Sequence, residues 1–231
     1  MRNMMSTGDR NGMKIEMHAH TSEGSPCAQI PAREVVRAYS QTDYDGIVIT
    51  NHFDNDLLKD FGDTDTERID RYLLGYDRAY EEGKECGMTV FLGIEIRLEP
   101  CPEDFLIYGV DREFLYQYPN LCFLSQKELY KLCHEYGARL YQAHPFRYPC
   151  RPQNPRYLDG VDFNQRPDGD NHNELLQEWL SGYPDLKLVS GSDFHVMENL
   201  AAGGIVIEGR VATSKELAEY LRKNSPRLIQ A

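Results

Sequence analysis

Hydrophobic and polar positions along the chain switch between two periods. Short runs rich in β-branched and aromatic residues read as buried strands, and longer amphipathic stretches between them read as helices. Lys14 to Met17 opens the series as a strand, and Ala32 to Gln41 follows with helical spacing and Pro31 at its start. Gly46 to Thr50 (GIVIT) is a strand, Thr66 to Cys86 a long helix that Gly87 is placed to stop, and Thr89 to Leu98 (TVFLGIEIRL) the next strand. Phe105 to Val110 is a further strand. Ser125 and Glu128 form a capping box for a helix that runs to about Tyr136 and stops at Gly137. Arg139 to Ala143, Val161 to Phe163, Leu186 to Ser190 and Gly204 to Ile207 read as strands. Asn173 to Leu180 reads as a helix, and Thr213 with Glu216 caps a last one through about Arg222. Pro145 to Asp159 holds four prolines and reads as a long irregular loop.

Repeated strand–helix alternation predicts a parallel sheet, and seven or eight such units favour a distorted closed barrel over an open sheet. The chain has 231 residues and neither an internal repeat nor a linker. Residues 13–231 are therefore expected to form a single α/β barrel domain, after a loosely ordered extension at residues 1–12.

Charged residues make up 27% and hydrophobic residues 41%, ordinary for a soluble globular protein. No apolar run approaches the roughly 18 residues of a spanning helix, and Met1 to Gly12 lacks an apolar signal core. The six cysteines are scattered with no C-x-x-C pair, so they read as reduced thiols of a cytoplasmic protein rather than as a thiolate zinc site. A net charge of −12 repels a polyphosphate backbone and argues against long nucleic acid as a partner. It leaves a small phosphorylated molecule open, because bound cations reverse the local field.

Five of the seven histidines, His18, His20, His52, His144 and His195, fall at or just past the C-terminal end of a predicted strand. That is the face on which parallel α/β barrels build their sites. Side chains at i and i+2 of an extended chain point the same way, so His18 and His20 are placed to grip one cation, and Asp193 with His195 repeats the spacing. Glu95 lies inside an apolar strand, where a carboxylate costs several kcal/mol unless paired or bound to metal. A salt bridge to Arg97 or Arg139 is the plain alternative for it. Taken together, nitrogen and oxygen donors without thiolate suit zinc, manganese or iron in an open site. His134, in mid-helix, and His172, in a polar run, read as structural or surface residues.

HAHTSEG, DGIVITNH, GIE, QAHP and GSDFH occur in that order between residues 14 and 195. They resemble the successive motifs of the polymerase-and-histidinol-phosphatase (PHP) family. The resemblance implies a distorted (β/α)7 TIM-like barrel with two or three divalent metal ions. By matching position, His18, His20, Glu95 and Asp193 would hold one ion, Glu95 and His144 a second, and His52 and His195 a third. Asn51 departs from the family pattern, which usually has aspartate there. Glu23 is the nearby candidate for the extra ligand that some members carry after the first motif. Asp111, at the end of YGVD, is the candidate for a histidine often found between the third and fourth motifs.

The implied activity is hydrolysis of a small phosphomonoester or diester by hydroxide generated on the ions, with Asp193 or His195 orienting the water or protonating the leaving group. Arg97 and Arg147, just past Glu95 and His144, are candidates to bind phosphate through their planar forks. The arginine- and aromatic-rich stretch from Phe146 to Asp170 is a candidate roof for a nucleotide-like or aromatic substrate. Two other readings stay open: an amidohydrolase-type metal hydrolase, which also opens with H-x-H, and a non-catalytic metal- or phosphate-binding module.

Overall fold

The computed structural model describes residues 12–230. The expected N-terminal extension, apart from Gly12, lies outside them. The elements in order are β1 (Met13–Ala19), α1 (Ala32–Ser40), β2 (Gly46–Ile49), β3 (His52–Phe53), α2 (Asn55–Asp60), α3 (Asp65–Cys86), β4 (Thr89–Arg97), β5 (Asp104–Tyr108), α4 (Arg112–Gln117) and α5 (Gln126–Tyr136). Then come β6 (Arg139–Gln142), β7 (Gly160–Asp162), α6 (Asn173–Leu180), β8 (Lys187–Val189), β9 (Gly203–Ile207), α7 (Ser214–Lys223) and β10 (Arg227–Gln230).

Local chemistry explains the helix ends. α5 and α7 open on the expected capping boxes, Ser125 with Glu128 and Thr213 with Glu216. α3 opens on a further one, Thr64 with Glu67, and stops at Gly87, whose φ of 75° suits glycine. The predicted strands are present at nearly the expected bounds. The short elements β3, α2, α4 and β10 carried too little periodicity to be read from the chain.

The strands form one sheet in the order β10-β9-β1-β2-β4-β5-β6-β7-β8, with β3 attached to β4. β1, β2, β3 and β4 run parallel, as do β6, β7 and β8. The expectation of a wholly parallel sheet is corrected at two places. β5 is antiparallel to both β4 and β6, and β9 is antiparallel to both β1 and β10. The segment after β8 returns to β1 through a parallel bridge between Ala19 and Phe194, and Ser190 Oγ donates to the Ile229 carbonyl at 2.8 Å. The sheet thus nearly closes on itself as a distorted TIM-like α/β barrel.

Apolar side chains cover both faces of this sheet. Met13, Ile15, Phe91, Leu106, Tyr108 and Tyr141 pack with Leu217 and Leu221 of α7. Outside, α1 sets Val35, Val36 and Tyr39 against Ile47 and Ile49, and α3 sets Ile69, Tyr72 and Leu73 against Phe53, Leu92 and Ile94. Each such side chain fully removed from water contributes about 1.5–3 kcal/mol. This anchoring holds the polar strand ends at one rim.

Candidate metal centre

The first and last motifs are joined by backbone hydrogen bonds. Phe194 N donates to the His18 carbonyl at 3.1 Å, and His20 N donates to the Phe194 carbonyl at 3.0 Å. This pairing sets Asp193 and His195 beside His18 and His20. Beneath it, the buried Glu16 carboxylate accepts from His18 N and Ser192 N, each at 2.9 Å, and from Tyr39 Oη at 2.7 Å. Gly191 has no room for a side chain there, since a Cβ would stand 2.4 Å from that of His18.

His52 and Glu95 face each other across the β3–β4 ladder. Glu95 is 1% exposed and is approached by four imidazoles. His18 Nε2 lies 3.2 Å and His144 Nε2 3.1 Å from Oε1, while His20 Nε2 lies 3.2 Å and His52 Nδ1 2.7 Å from Oε2. Despite those neighbours, no N–H or O–H is aimed at Oε2. A buried carboxylate oxygen without a donor is costly, and the cost is met if the oxygen and the imidazoles share cations.

The donor spacing fits that reading. His18 and His20 Nε2 are 3.1 Å apart, and they lie 3.4 and 3.3 Å from Asp193 Oδ1. Tetrahedral ligands about 2.0–2.2 Å from an ion have edges of about 3.3–3.6 Å. The tautomers also suit ligation. His18 Nδ1 is held by Asp162 at 3.0 Å and His20 Nδ1 by Ser25 Oγ at 2.9 Å, which leaves both Nε2 atoms turned inward. His144 and Asp193 have positive φ, 28° and 50°, a strained conformation of the kind that clusters at functional sites.

Electrostatics pulls the partners in opposite directions. Burial opposes charge on His18 and His52, but the carboxylates around them outweigh it and hold both imidazoles well above their ordinary pKa. His144 is pushed up to about 9, burial being outweighed by hydrogen bonds to Cys150 and Glu95. Burial would raise Glu95 and Asp193, yet the histidines, and Arg147 for Asp193, hold both well below the usual carboxylate range. His195 is pushed down to about 3 by burial and by His20. These shifts favour Asp193 as a carboxylate and His195 as a neutral imidazole. Both are in the form suited to ligation.

Glu23 is corrected as well. Its carboxylate accepts from Ala32 N at the start of α1 at 2.9 Å and from Arg78 at 3.1 Å. Asp111 sits at the far rim, because β5 is inverted; it caps α4 and pairs with Lys215 at 2.7 Å. The same inversion brings Asp104 to the site, and Asp104, His144 and Cys150 group their donor atoms beside Glu95. Asn51 stands one hydrogen bond behind the ligands, since Ser25 Oγ, which lies 2.9 Å from His20 Nδ1, donates to its Oδ1 at 3.2 Å. It accepts from Thr21 N at 2.8 Å and donates to Thr21 Oγ1 at 3.1 Å, tying two loops together.

The arginines are partly engaged. Arg147 donates to Asp193 and to Asn164 and Asn171 at 2.6 and 2.5 Å. Arg97 clamps Asp104 at 2.9 and 2.7 Å. Both, with Arg166 and the exposed Tyr148, line an open cavity of about 330 Å³ over Glu95 and His144. His134 pairs with Asp159, and His172 with Asp170 and Glu174, away from the site.

No family model matches the sequence, and no curated protein does. Solved structures do. A two-domain protein from Bacteroides vulgatus, containing a predicted PHP-like metal-dependent phosphoesterase, superposes with a TM-score of 0.67 at 15% identity over 94% of this chain. The chain has the PHP-like fold. It spans 64% of that two-domain protein and 57% of a lesion-specific endonuclease from Pyrococcus furiosus, which covers 94% of it at TM-score 0.64 and 12% identity. An amidohydrolase from Chromobacterium violaceum, with bound sulfate, matches 94% of the chain and 97% of its own length at TM-score 0.55 and 12% identity. The PHP-like fold is thus shared by proteins described with different hydrolytic chemistries.

Proposed function

We propose that the protein is a metal-dependent phosphoesterase acting on a small phosphorylated molecule. The observation that carries this is Glu95 Oε2, buried without a donor among imidazoles from three strand ends. His18, His20, Glu95 and Asp193 would hold one divalent cation, and Glu95, His144 and Asp104 a second. Bound there, such ions polarise a phosphoryl oxygen and acidify water. The donor set suits zinc, manganese or iron.

The chain's own groups supply the rest. Arg147 braces Asp193, while the exposed part of Arg97 and the Arg166 side chain offer N–H groups to phosphate oxygens at the mouth. Tyr148, 92% exposed, stands at the same mouth with an unoccupied face for a ring or base. The similarity to an amidohydrolase keeps amide hydrolysis as the rival.

One panel separates the two. Phosphomonoesters, phosphodiesters and cyclic amides are incubated with purified protein and added manganese or zinc, beside a His18→Ala/His20→Ala control. Turnover of a phosphoester that the control lacks is expected. Turnover confined to amides, or none above the control, overturns the proposal.

A further inference from the structure

β4 has one edge that the sheet leaves uncovered near its start. Thr89 N donates to the Asp45 carbonyl at 3.0 Å, and Glu95 N to the Asn51 carbonyl at 3.1 Å. Alternate residues of a strand point their backbone groups to opposite edges. Thr89, Phe91, Gly93 and Glu95 therefore serve the β2 and β3 side. Val90 and Leu92 face the β5 side, where the pairing with β4 begins only at Gly93 opposite Tyr108. Past Tyr108 the chain bends away at Gly109, whose φ is 96°. Ser214 Oγ, at the start of α7, takes Leu92 N at 3.0 Å. Among the described residues nothing takes Val90 N–H or gives to its carbonyl. Val90 is 6% exposed, and a backbone pair so placed is one that a ligand can satisfy.

A cavity of about 430 Å³ lies here and shares no lining residue with the one over Glu95 and His144. Val90, Leu92 and Val110 give it an apolar floor. Tyr76 and Tyr80, one turn apart on α3 with ring centroids 5.8 Å apart, give it an aromatic wall. Lys84, a turn further on and outside the lining, sits over Tyr80 at 4.8 Å. An apolar hollow of this size with a few convergent polar groups is the usual form of a small-molecule site. The cations in the lining are already engaged. Arg112 pairs with Asp77, and Lys215 with Asp111 at 2.7 Å, while Glu113 adds a negative charge.

We infer that this cavity binds a neutral planar heterocycle with adjacent ring acceptor and N–H donor, the pattern of a nucleobase or lactam. The acceptor receives Val90 N–H, the donor gives to the Val90 carbonyl, and the ring packs against Tyr76 and Tyr80. An extended peptide fits less well. Ser214 holds Leu92 N and the Gly83 carbonyl holds Met88 N, so no second pair of strand bonds follows on either side. A phosphorylated ligand would meet no unpaired cation in the lining and would face Glu113. The inference is independent of the metal-centre reading.

The full-length protein is titrated calorimetrically with adenosine, cytidine, uridine and inosine, and with caffeine, a flat ring that has no N–H. Saturable binding of at least one nucleoside is expected, with caffeine and the matching 5′-monophosphate weaker. Tyr80→Ala, at a position 45% exposed, should weaken binding at least about fivefold. Ala212→Trp, from an exposed position in the lining, should fill the cavity and abolish it. Tyr148→Ala, at the mouth of the other cavity, should bind as the parent does. The inference is overturned if no nucleoside binds saturably, or if caffeine or the monophosphate binds as tightly. Parent-like binding by Tyr80→Ala or Ala212→Trp, or loss of binding in Tyr148→Ala, overturns it equally.

Discussion

Asp162 holds His18 by its outer nitrogen: Oδ2 accepts from Nδ1 at 3.0 Å, with both side chains fully buried. Asn164 Nδ2 donates to the same oxygen at 2.7 Å. The contact fixes the ring so that Nε2 faces Glu95 and Asp193. Asp162→Asn preserves volume but offers a neutral amide, which can present either an acceptor or a donor to the ring. Cation affinity should fall about 10–100-fold, measured by competition against a metal indicator. Unchanged affinity would show that packing alone orients His18.

Arg147 braces Asp193 rather than standing free for phosphate. Arg147→Ala should therefore lower both bound metal and kcat, with KM changing less. Metal analysis beside steady-state kinetics decides the matter. A raised KM with full metal content and unchanged kcat would restore the direct phosphate role expected from sequence.

Glu95→Gln should abolish stoichiometric metal binding. It also leaves the imidazolium groups around it without their shared counter-charge. Breaking one partner of a buried ionic group costs about 3–5 kcal/mol. Urea denaturation in chelator at pH 6 should show a loss of that order; an unaltered midpoint would mean that the histidines are neutral there and the cluster is not ion-paired.

The cluster also sets a pH window. Glu95 and Asp193 lie below their ordinary values of 4.5 and 3.8, so their contribution is present above those values and lost as pH falls through the lower folded-state ones. His144 is raised from 6.5 to about 9, so its contribution is full below 6.5 and lost as pH rises to about 9. In chelator, the stability advantage of the parent over His144→Ala should be greatest between about pH 4.5 and 6.5 and vanish near pH 9. An advantage that grows from pH 6.5 to 9 would contradict a charged His144. Metal uptake at pH 7 should release protons, detectable as buffer-dependent heats of binding.

Much of the site was legible because its signals are local. Histidines at strand ends, a glutamate inside an apolar run and two i, i+2 pairs need only strand periodicity to be placed on one rim. Asp162 carried the same signal as Glu95, a charge in a buried strand, and could have been found by it. The inversion of β5 was also partly written in the chain: Leu98 to Glu103 is too short for the dozen or more residues a parallel crossover needs. Reading β5 as parallel put Asp111 at the site in place of Asp104. Glu23 was harder, since it lies in a loop and only the loop's path turns its carboxylate to Ala32 N and Arg78.

The sequence by itself determined the longer strands, the capping boxes of α5 and α7 and the donor types, because these depend on residues a few positions apart. Tertiary structure decided which donors meet, because that depends on strand direction and on the Phe194 bonds that join the first and last motifs. Those are contacts between distant parts of the chain, and no local period encodes them.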